Sequence, residues 1–372
     1  MSKPYTLLLE PIDVLSFRDY RGLESGEQHD VGTVFPTPTV MFGAVRGALF
    51  RAAGADFNEI AKNKYQSHYG VDERYRDWLG GPSSEEPFQI GVRGPWLARD
   101  LHGAPTLWLP MPLDRLKRGV FIPKDHGSLT PSFHGSTHRA ATLLLKPPGD
   151  KGEGRCDTPA DRTRPCPGHA DEDSARYVLA SDLRRECPER AFFDTERRVG
   201  IARDLNKRTV VPGLFYLQDT LRFAEGVGLA VEVDTITGKH EELLKRLHGR
   251  AIPLGGRGHH VRVQVVEGSM KPAAPTTGDR LWCLTPMPIL GDDGLVLPTD
   301  ATLDALYTRA PLVVGGFDRA NNKPHKLTRV LPAGTVLKLG GALGGLTQHN
   351  WGMNPTQIHA GFGVTQLLGD SP

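Results

Sequence analysis

The sequence predicts an α+β chain of two units, the first interrupted by a large insertion, and three observations carry that reading. The chain has 372 residues, more than one hydrophobic core ordinarily organises, so two domains or one domain with insertions are expected. Short strand-like runs alternate with a few helical ones at both ends of the chain. Between them lies Gly268-Ser269-Met270-Lys271-Pro272-Ala273-Ala274-Pro275, whose Pro-rich composition marks a linker. The expected units are 1–270 and 275–372.

The first element is a strand over 5–10, where Leu7, Leu8 and Leu9 form a short apolar run bounded by polar residues. The loop after it carries too many Gly, Asp, Glu and Arg to be core. A helix over 39–52 follows. Pro36 and Pro38 discourage helix before it, Thr37 or Thr39 can cap its amides, and Met41, Val45, Ala48, Leu49 and Ala52 recur at helical spacing. Strands near 88–98, 105–111, 213–223 and 227–234, a helix over 240–248 and a strand over 260–266 complete the first unit. In the second, a strand over 281–290, a helix near 300–308, strands near 311–317 and 327–339 and a last strand over 362–368 are expected, with no evident second helix. A βαββαβ, ferredoxin-like (RRM-like) order accommodates both units.

The insertion runs from about 112 to 197. Lys146 to Asp173 is rich in Pro, Gly, Asp and Arg, too poor in apolar residues to order itself, so part of the insertion is expected to be flexible. Cys156, Cys166, His169 and Cys187 offer four N/S donors for a structural zinc. Their spacing lacks the close Cys pair of a zinc finger, and reduced thiols are the simpler expectation. Cys283 sits in an apolar strand pattern as a core residue. Phe121 to Phe133, interleaved with Lys124 and His126, has a composition suited equally to base stacking and to a surface loop.

Formal charge is only +2, which excludes the strongly basic balance of a free-standing nucleic-acid binder. The distribution is more informative than the total. From Arg319 to Gly369 no acidic residue occurs, whereas Arg319, Lys323, Lys326, Arg329 and Lys338 are basic. Leu243 to Val266 repeats the pattern with Lys245, Arg246, Arg250, Arg257 and Arg262, interleaved with His248, His259 and His260. Such clusters either neutralise a phosphate backbone or are simply solvated faces. Leu254-Gly255-Gly256-Arg257-Gly258 lies within the second cluster, and backbone amides there can approach a phosphate or ribose. It is no dinucleotide fingerprint, because the Gly spacing is wrong and it precedes a strand. In the first helix, Arg46 and Arg51 fall off the apolar stripe, Gly43 and Gly47 permit close approach, and the N-terminus attracts anions.

No enzyme site emerges with comparable force. Carboxylates are scattered, against a metal nuclease, and no cofactor is expected. His29 beside Asp30 is the one weak candidate for metal-free RNA cleavage, as general acid or base on a ribose hydroxyl. With no secretory signal and no apolar run long enough to span a membrane, a cytoplasmic location is expected.

The series Phe17-Arg18-Asp19, then Phe35-Pro36-Thr37-Pro38-Thr39 leading into Gly43-Ala44-Val45-Arg46-Gly47-Ala48-Leu49, resembles the amino-terminal signature of the RAMP proteins of CRISPR effector complexes. It is most similar to subunit three of the Cmr (type III-B) complex. Gly200-Ile201-Ala202-Arg203-Asp204, Gly213-Leu214-Phe215-Tyr216, the Leu254 to Gly258 turn, Gly315-Gly316-Phe317-Asp318, Arg329 to Val336 and Gly361-Phe362-Gly363 follow in the family's order. The resemblance implies paired ferredoxin-like domains in a non-catalytic subunit for antiviral defence. Such a subunit grips the repeat-derived 5′ tag of the guide RNA, packs against the large polymerase/cyclase-like subunit and meets the backbone subunit four. On that reading Arg18 and Arg46 hold phosphates, and Gly255, Gly256, Arg257, His259 and His260 line the tag. Lys323, Lys326 and Arg329 extend the groove, and Phe17 stacks on a base or belongs to the core. A metal-free processing endoribonuclease using His29, a pure protein scaffold, and the equivalent subunit of a type III-A or III-D complex remain as alternatives.

Overall fold

The computed structural model describes residues 3–17, 35–62, 70–80, 89–115, 131–132, 144–145, 176–203, 209–234, 238–271, 278–288, 302–309, 311–318, 323–340, 353 and 355–368. Strand β1 (Pro4–Pro11) is followed by helices α1 (Pro38–Ala52), α2 (Phe57–Lys62) and α3 (Arg76–Leu79), then by strands β2 (Gly91–Arg99) and β3 (Thr106–Pro110). The chain continues through a two-residue ladder, β4 (Pro131–Ser132) with β5 (Leu144–Leu145), into β6 (Arg176–Leu179) and β7 (Asp182–Pro188). A long hairpin of β8 (Phe193–Arg203) and β9 (Val210–Phe223) leads to β10 (Gly228–Asp234), α4 (Gly238–Lys245), β11 (Ala251–Pro253) and β12 (His260–Glu267).

These strands build one antiparallel eight-stranded sheet in the order β11-β12-β1-β10-β2-β3-β6-β7. Four adjacent strands of it run β12-β1-β10-β2, with α1 between β1 and β2 in sequence and α4 between β10 and β12. The consecutive leucines of β1 are all fully buried, because both faces of the sheet are covered. Leu7 and Leu9 join the core that includes Met41, Val45 and Leu49 of α1, while Leu8 clusters with Trp96 and with Trp282, Val336 and Val364 from the carboxy-terminal part of the chain.

That part begins with β13 (Arg280–Cys283), β14 (Met287–Pro288), β15 (Thr302–Tyr307), β16 (Leu312–Val314), β17 (Phe317–Asp318) and β18 (Lys323–Pro324). It ends with β19 (Thr328–Leu331), β20 (Val336–Gly340), α5 (Pro355–His359) and β21 (Thr365–Leu368). A four-stranded antiparallel sheet has the order β15-β20-β13-β21, and β14-β19-β16 form a smaller one. Fold class is thus mixed α and β, dominated by antiparallel sheets.

Several expectations are corrected. The helix near 300–308 is strand β15: its pairing with β20, through a bulge between Leu303 and Ala305, outweighs a weak local helical pattern. The strand over 281–290 breaks at Leu284 to Pro286, where Pro286 has no amide for a ladder. The run 327–339 folds back at Pro332 to Gly334 into two strands of different sheets. The second helix absent from the sequence reading is the single-turn α5. Thr37 occupies the N-cap of α1 without a side-chain hydrogen bond, and its carbonyl takes the amides of Val40 and Met41 instead.

A largely buried ionic cluster lies on β10 and β2, beside polar contacts that join the two sheets. Glu232 of β10, only 3% exposed, receives Arg93 Nη1 at 3.3 Å, Lys271 Nζ at 3.2 Å and the Ser269 hydroxyl. Arg93 also reaches Asp234 at 2.8 Å, and the Lys271 ammonium lies 5.1 Å from the centre of the Trp96 ring. Trp96 Nε1 donates to the Leu284 carbonyl at 3.1 Å, and Arg280 Nη1 pairs with Asp114 at 2.6 Å. Burial pushes the Asp234 carboxyl up and the Lys271 ammonium down, each opposed by its partners.

On the helical face, His240 of α4 stacks on Trp78 of α3 with centroids 4.5 Å apart and planes within 10°. Burial, followed by the Lys239 charge, lowers its pKa from 6.5 to about 4. The unfolded chain therefore takes up a proton that the folded chain refuses, so stability present above pH 6.5 is lost as pH falls toward about 4. A melting series over that window is expected to show a loss of about 1 kcal/mol or more that His240→Leu removes. Superimposable pH profiles for the two proteins would refute it.

Candidate nucleic-acid interface

After β1 the chain does not turn directly away from the sheet but runs as a strap, residues 12–17, across the base of the hairpin. Ile12 donates to the His260 carbonyl at 3.1 Å, and Leu15 exchanges both backbone hydrogen bonds with Leu221 of β9, at 2.9 and 2.7 Å. The Ser16 hydroxyl accepts from Gln218 Nε2 at 2.5 Å, and the Ser16 carbonyl accepts from the Gly256 amide at 2.8 Å. The strap therefore ties together the hairpin and the turn that opens β12.

That turn, Leu254 to His259, is closed by the Leu254 amide donating to the His259 carbonyl at 2.9 Å. Gly255, Arg257 and Gly258 all have positive φ, at 81°, 57° and 74°. Gly255 needs glycine for a second reason: a Cβ there would lie 2.5 Å from the Ser16 carbonyl oxygen and 3.2 Å from the Phe17 ring. Phe17 is accordingly 4% exposed and belongs to the core, which corrects its assignment as a base-stacking ring. It supports the turn from behind.

Arg257 and His260 are exposed and His259 is half-buried. The His260 Nδ1 lies 2.6 Å from the Gly258 carbonyl, a contact that needs the hydrogen on Nδ1. Burial first, then Arg198, Arg257 and His260, hold His259 below its usual 6.5, with Asp13 opposing. Arg198 of β8 and Arg222 of β9 flank this region, and both face Asp13 of the strap at 3.7 Å. Strap, turn and hairpin base thus bring one surface together from residues 13, 198, 222, 257, 259 and 260.

Other expected site residues lie elsewhere. Arg46 donates from Nε to the Leu79 carbonyl at 2.7 Å, with its guanidinium 5.1 Å from the centre of the Phe50 ring and 5.8 Å from that of Phe42. These contacts clasp α1 to α3. Gly43 and Gly47 face open space, with nothing within 4 Å of where a Cβ would lie. Lys323 pairs through its backbone with Asp318, Lys326 is exposed, and Arg329 is exposed on β19. Arg18, His29, Cys156, Cys166 and His169 lie outside the described residues, as do Phe121 to Thr130 and Phe133. Cys187 is half-buried on β7 opposite Tyr177, and no group of three potential metal ligands occurs among the described residues. Cys283 is fully buried, as expected, and burial pushes its thiol up to about 12.

The basic runs are also smaller in space than in sequence. Lys245 is paired with Glu241 at 2.5 Å, Arg246 with Glu242 at 2.9 Å, and Lys338 with Asp279 at 3.3 Å. Helical i,i+4 partners lie just outside the acid-free window. Asp13, Glu196 and Arg222 were missed by sequence reading because they are far apart in the chain. The only signal was the two-residue spacing of Glu196 and Arg198, which puts them on one face of a strand.

The family described as CRISPR-associated protein (Cas_Cmr3) matches residues 7–340. No curated protein matches the chain. Among solved structures it resembles a chain of the Type III-B Cmr-beta bound to cognate target RNA, at 15% identity and TM-score 0.45, covering 90% of this chain and 86% of that one. A chain of the same complex bound to cognate target RNA and AMPPnP gives 13% identity and TM-score 0.44, with coverages of 90% and 86%. One of the Csm1–Csm4 cassette in complex with pppApA gives 14% and 0.35, with coverages of 93% and 92%.

Proposed function

Because the chain belongs to the CRISPR-associated Cas_Cmr3 family, we propose that it is a non-catalytic subunit of a type III-B effector that caps the repeat-derived 5′ tag of the guide RNA. It links the large polymerase/cyclase-like subunit to the first backbone subunit. One observation carries the placement of the RNA: the strap, the glycine turn and the hairpin base converge on a surface bearing Arg257, His259 and His260. The Arg257 guanidinium holds a phosphate backbone through charge, and the two imidazoles beside it offer hydrogen-bonding edges to phosphate or ribose.

The strand orders support paired ferredoxin-like domains. Numbered within each unit, β12-β1-β10-β2 and β21-β13-β20-β15 both read 4-1-3-2 with antiparallel neighbours. The order places α4 and α5 before the fourth strand of each. On this reading the domains divide as 1–270 and 275–372, Lys323, Lys326 and Arg329 extend the same channel from the second domain, and Arg18 is a further phosphate contact.

The test is binding of guide RNA with and without its tag to the purified chain. Arg257→Glu is expected to weaken tagged-RNA binding about tenfold near physiological salt, and to flatten the salt dependence by about one ion. Equal affinity for tagged and untagged RNA, unmoved by Arg257→Glu, would remove the capping assignment.

A further inference from the structure

At the hairpin base, one carboxylate holds two guanidinium groups. Glu196 of β8 receives Arg198 Nε at 2.7 Å on one oxygen and Arg222 Nε on the other. Asp13 of the strap faces the same pair, one carboxylate oxygen 3.7 Å from Arg198 Nη2 and the other 3.7 Å from Arg222 Nη1. The two arginines come from opposite strands of the hairpin and all four side chains remain partly exposed, so a solvent-borne anion reaches them. The carboxylate of Glu196 is held at about 2, first by Arg222 and then by Arg198, so it stays charged and bonded at any working pH.

A carboxylate bridging two guanidiniums occupies the position that the two non-bridging oxygens of a phosphodiester would take, since both present paired acceptors to planar donors. Asp13, which both arginines face, follows Ile12, whose amide donates to the His260 carbonyl, so the pair lies beside the turn and not on a remote face.

We infer that Arg198 and Arg222 form a phosphodiester-binding fork next to the Leu254 to His259 turn, occupied in the unliganded chain by Glu196 and Asp13. The inference rests on the proposed binding of RNA at that turn. In the native chain a phosphate entering the fork exchanges with a carboxylate already there, so the pair releases few counterions of its own. The internal acids limit non-specific attraction, and only a strand positioned by the turn displaces them.

The salt dependence of binding distinguishes this fork from a general effect of negative charge. The full chain is titrated with a uridine oligonucleotide of about 20 nucleotides, over about 50 to 300 mM KCl, alongside Asp13→Asn/Glu196→Gln. The double variant is expected to bind about fivefold more tightly near 100 mM, with a slope of log K against log salt steeper by about 1.4, the value for two further phosphate contacts on a single strand. Glu196→Gln alone moves the slope the same way. Adding Arg198→Gln and Arg222→Gln restores the native slope. A parallel gain in affinity with unchanged slope, or a steeper slope that survives loss of both arginines, overturns the fork while leaving RNA binding at the turn intact if Arg257→Glu still weakens it. Absence of binding by the native chain and the double variant alike overturns both. Melting curves of each variant in the same buffer verify that the hairpin remains folded.

Discussion

Gly255→Val is expected to cost about 3 kcal/mol or more and to abolish RNA binding at the turn in the same step. Two penalties combine. A β-branched residue at a φ of 81° is strained by about 1 to 3 kcal/mol even in open space. Here the space is closed as well, because the new Cβ meets the Ser16 carbonyl oxygen at 2.5 Å, a backbone atom that has no rotamer to escape into. Relieving that contact moves Ser16, which breaks its bond from the Gly256 amide and disturbs the Ser16–Gln218 bond on the hairpin. It also shifts the buried Phe17 ring. Gly258→Ala is the matched control: φ is 74° but nothing lies within 4 Å of its Cβ position, so only about 1 kcal/mol is expected. Thermal melting and RNA titration of the two variants decide the matter. Similar losses for both would mean that the strap does not support the turn.

Glu232→Ala is expected to cost about 3 to 5 kcal/mol, because it leaves Arg93 and Lys271 sharing the single remaining carboxylate of Asp234 in a largely buried site. The residue lies where β10, β2 and the residues following β12 meet, near Trp96, whose indole donates to the Leu284 carbonyl just after β13. Its loss is expected to loosen the carboxy-terminal sheet before the eight-stranded sheet unfolds, seen as an early step in the tryptophan-fluorescence melting curve. Adding Lys271→Met is expected to restore part of the stability, since the methionine stem keeps its packing near Trp96 and removes an unmatched charge. If Glu232→Ala melts within about 1 °C of the native chain, the cluster does not hold the sheets together.

The elements of the first unit were legible because their patterns are strong and local. Leu7 to Leu9 reads as a buried strand, and Met41, Val45, Ala48 and Leu49 read as one helix face; each period follows from backbone geometry alone. The strand at Thr302 to Tyr307 was misread because Leu303, Ala305 and Leu306 satisfy a helical spacing as well as a bulged strand, and only β20 alongside selects between them. The candidate surface was half legible. Gly255, Gly256 and Arg257 stand together in the chain, so their turn could be seen. Arg46 looked like a solvated cation because the carbonyl it serves, Leu79, lies 33 residues away.

By itself the sequence determined the family, through ordered short motifs from Phe17 to Gly363, and most of the α+β element order, through hydrophobic period and Gly/Pro punctuation. Only the tertiary structure decided which charges act together. Asp13, Glu196 and Arg222 meet because the strap crosses a hairpin some two hundred residues later in the chain. Lys245 and Arg246, adjacent to the same turn in sequence, are engaged by α4's own glutamates. Hydrophobic period and Gly/Pro punctuation are local, so a sequence displays them. Electrostatic pairing depends on separations of a few ångströms between distant segments, and those exist only once the sheets have closed.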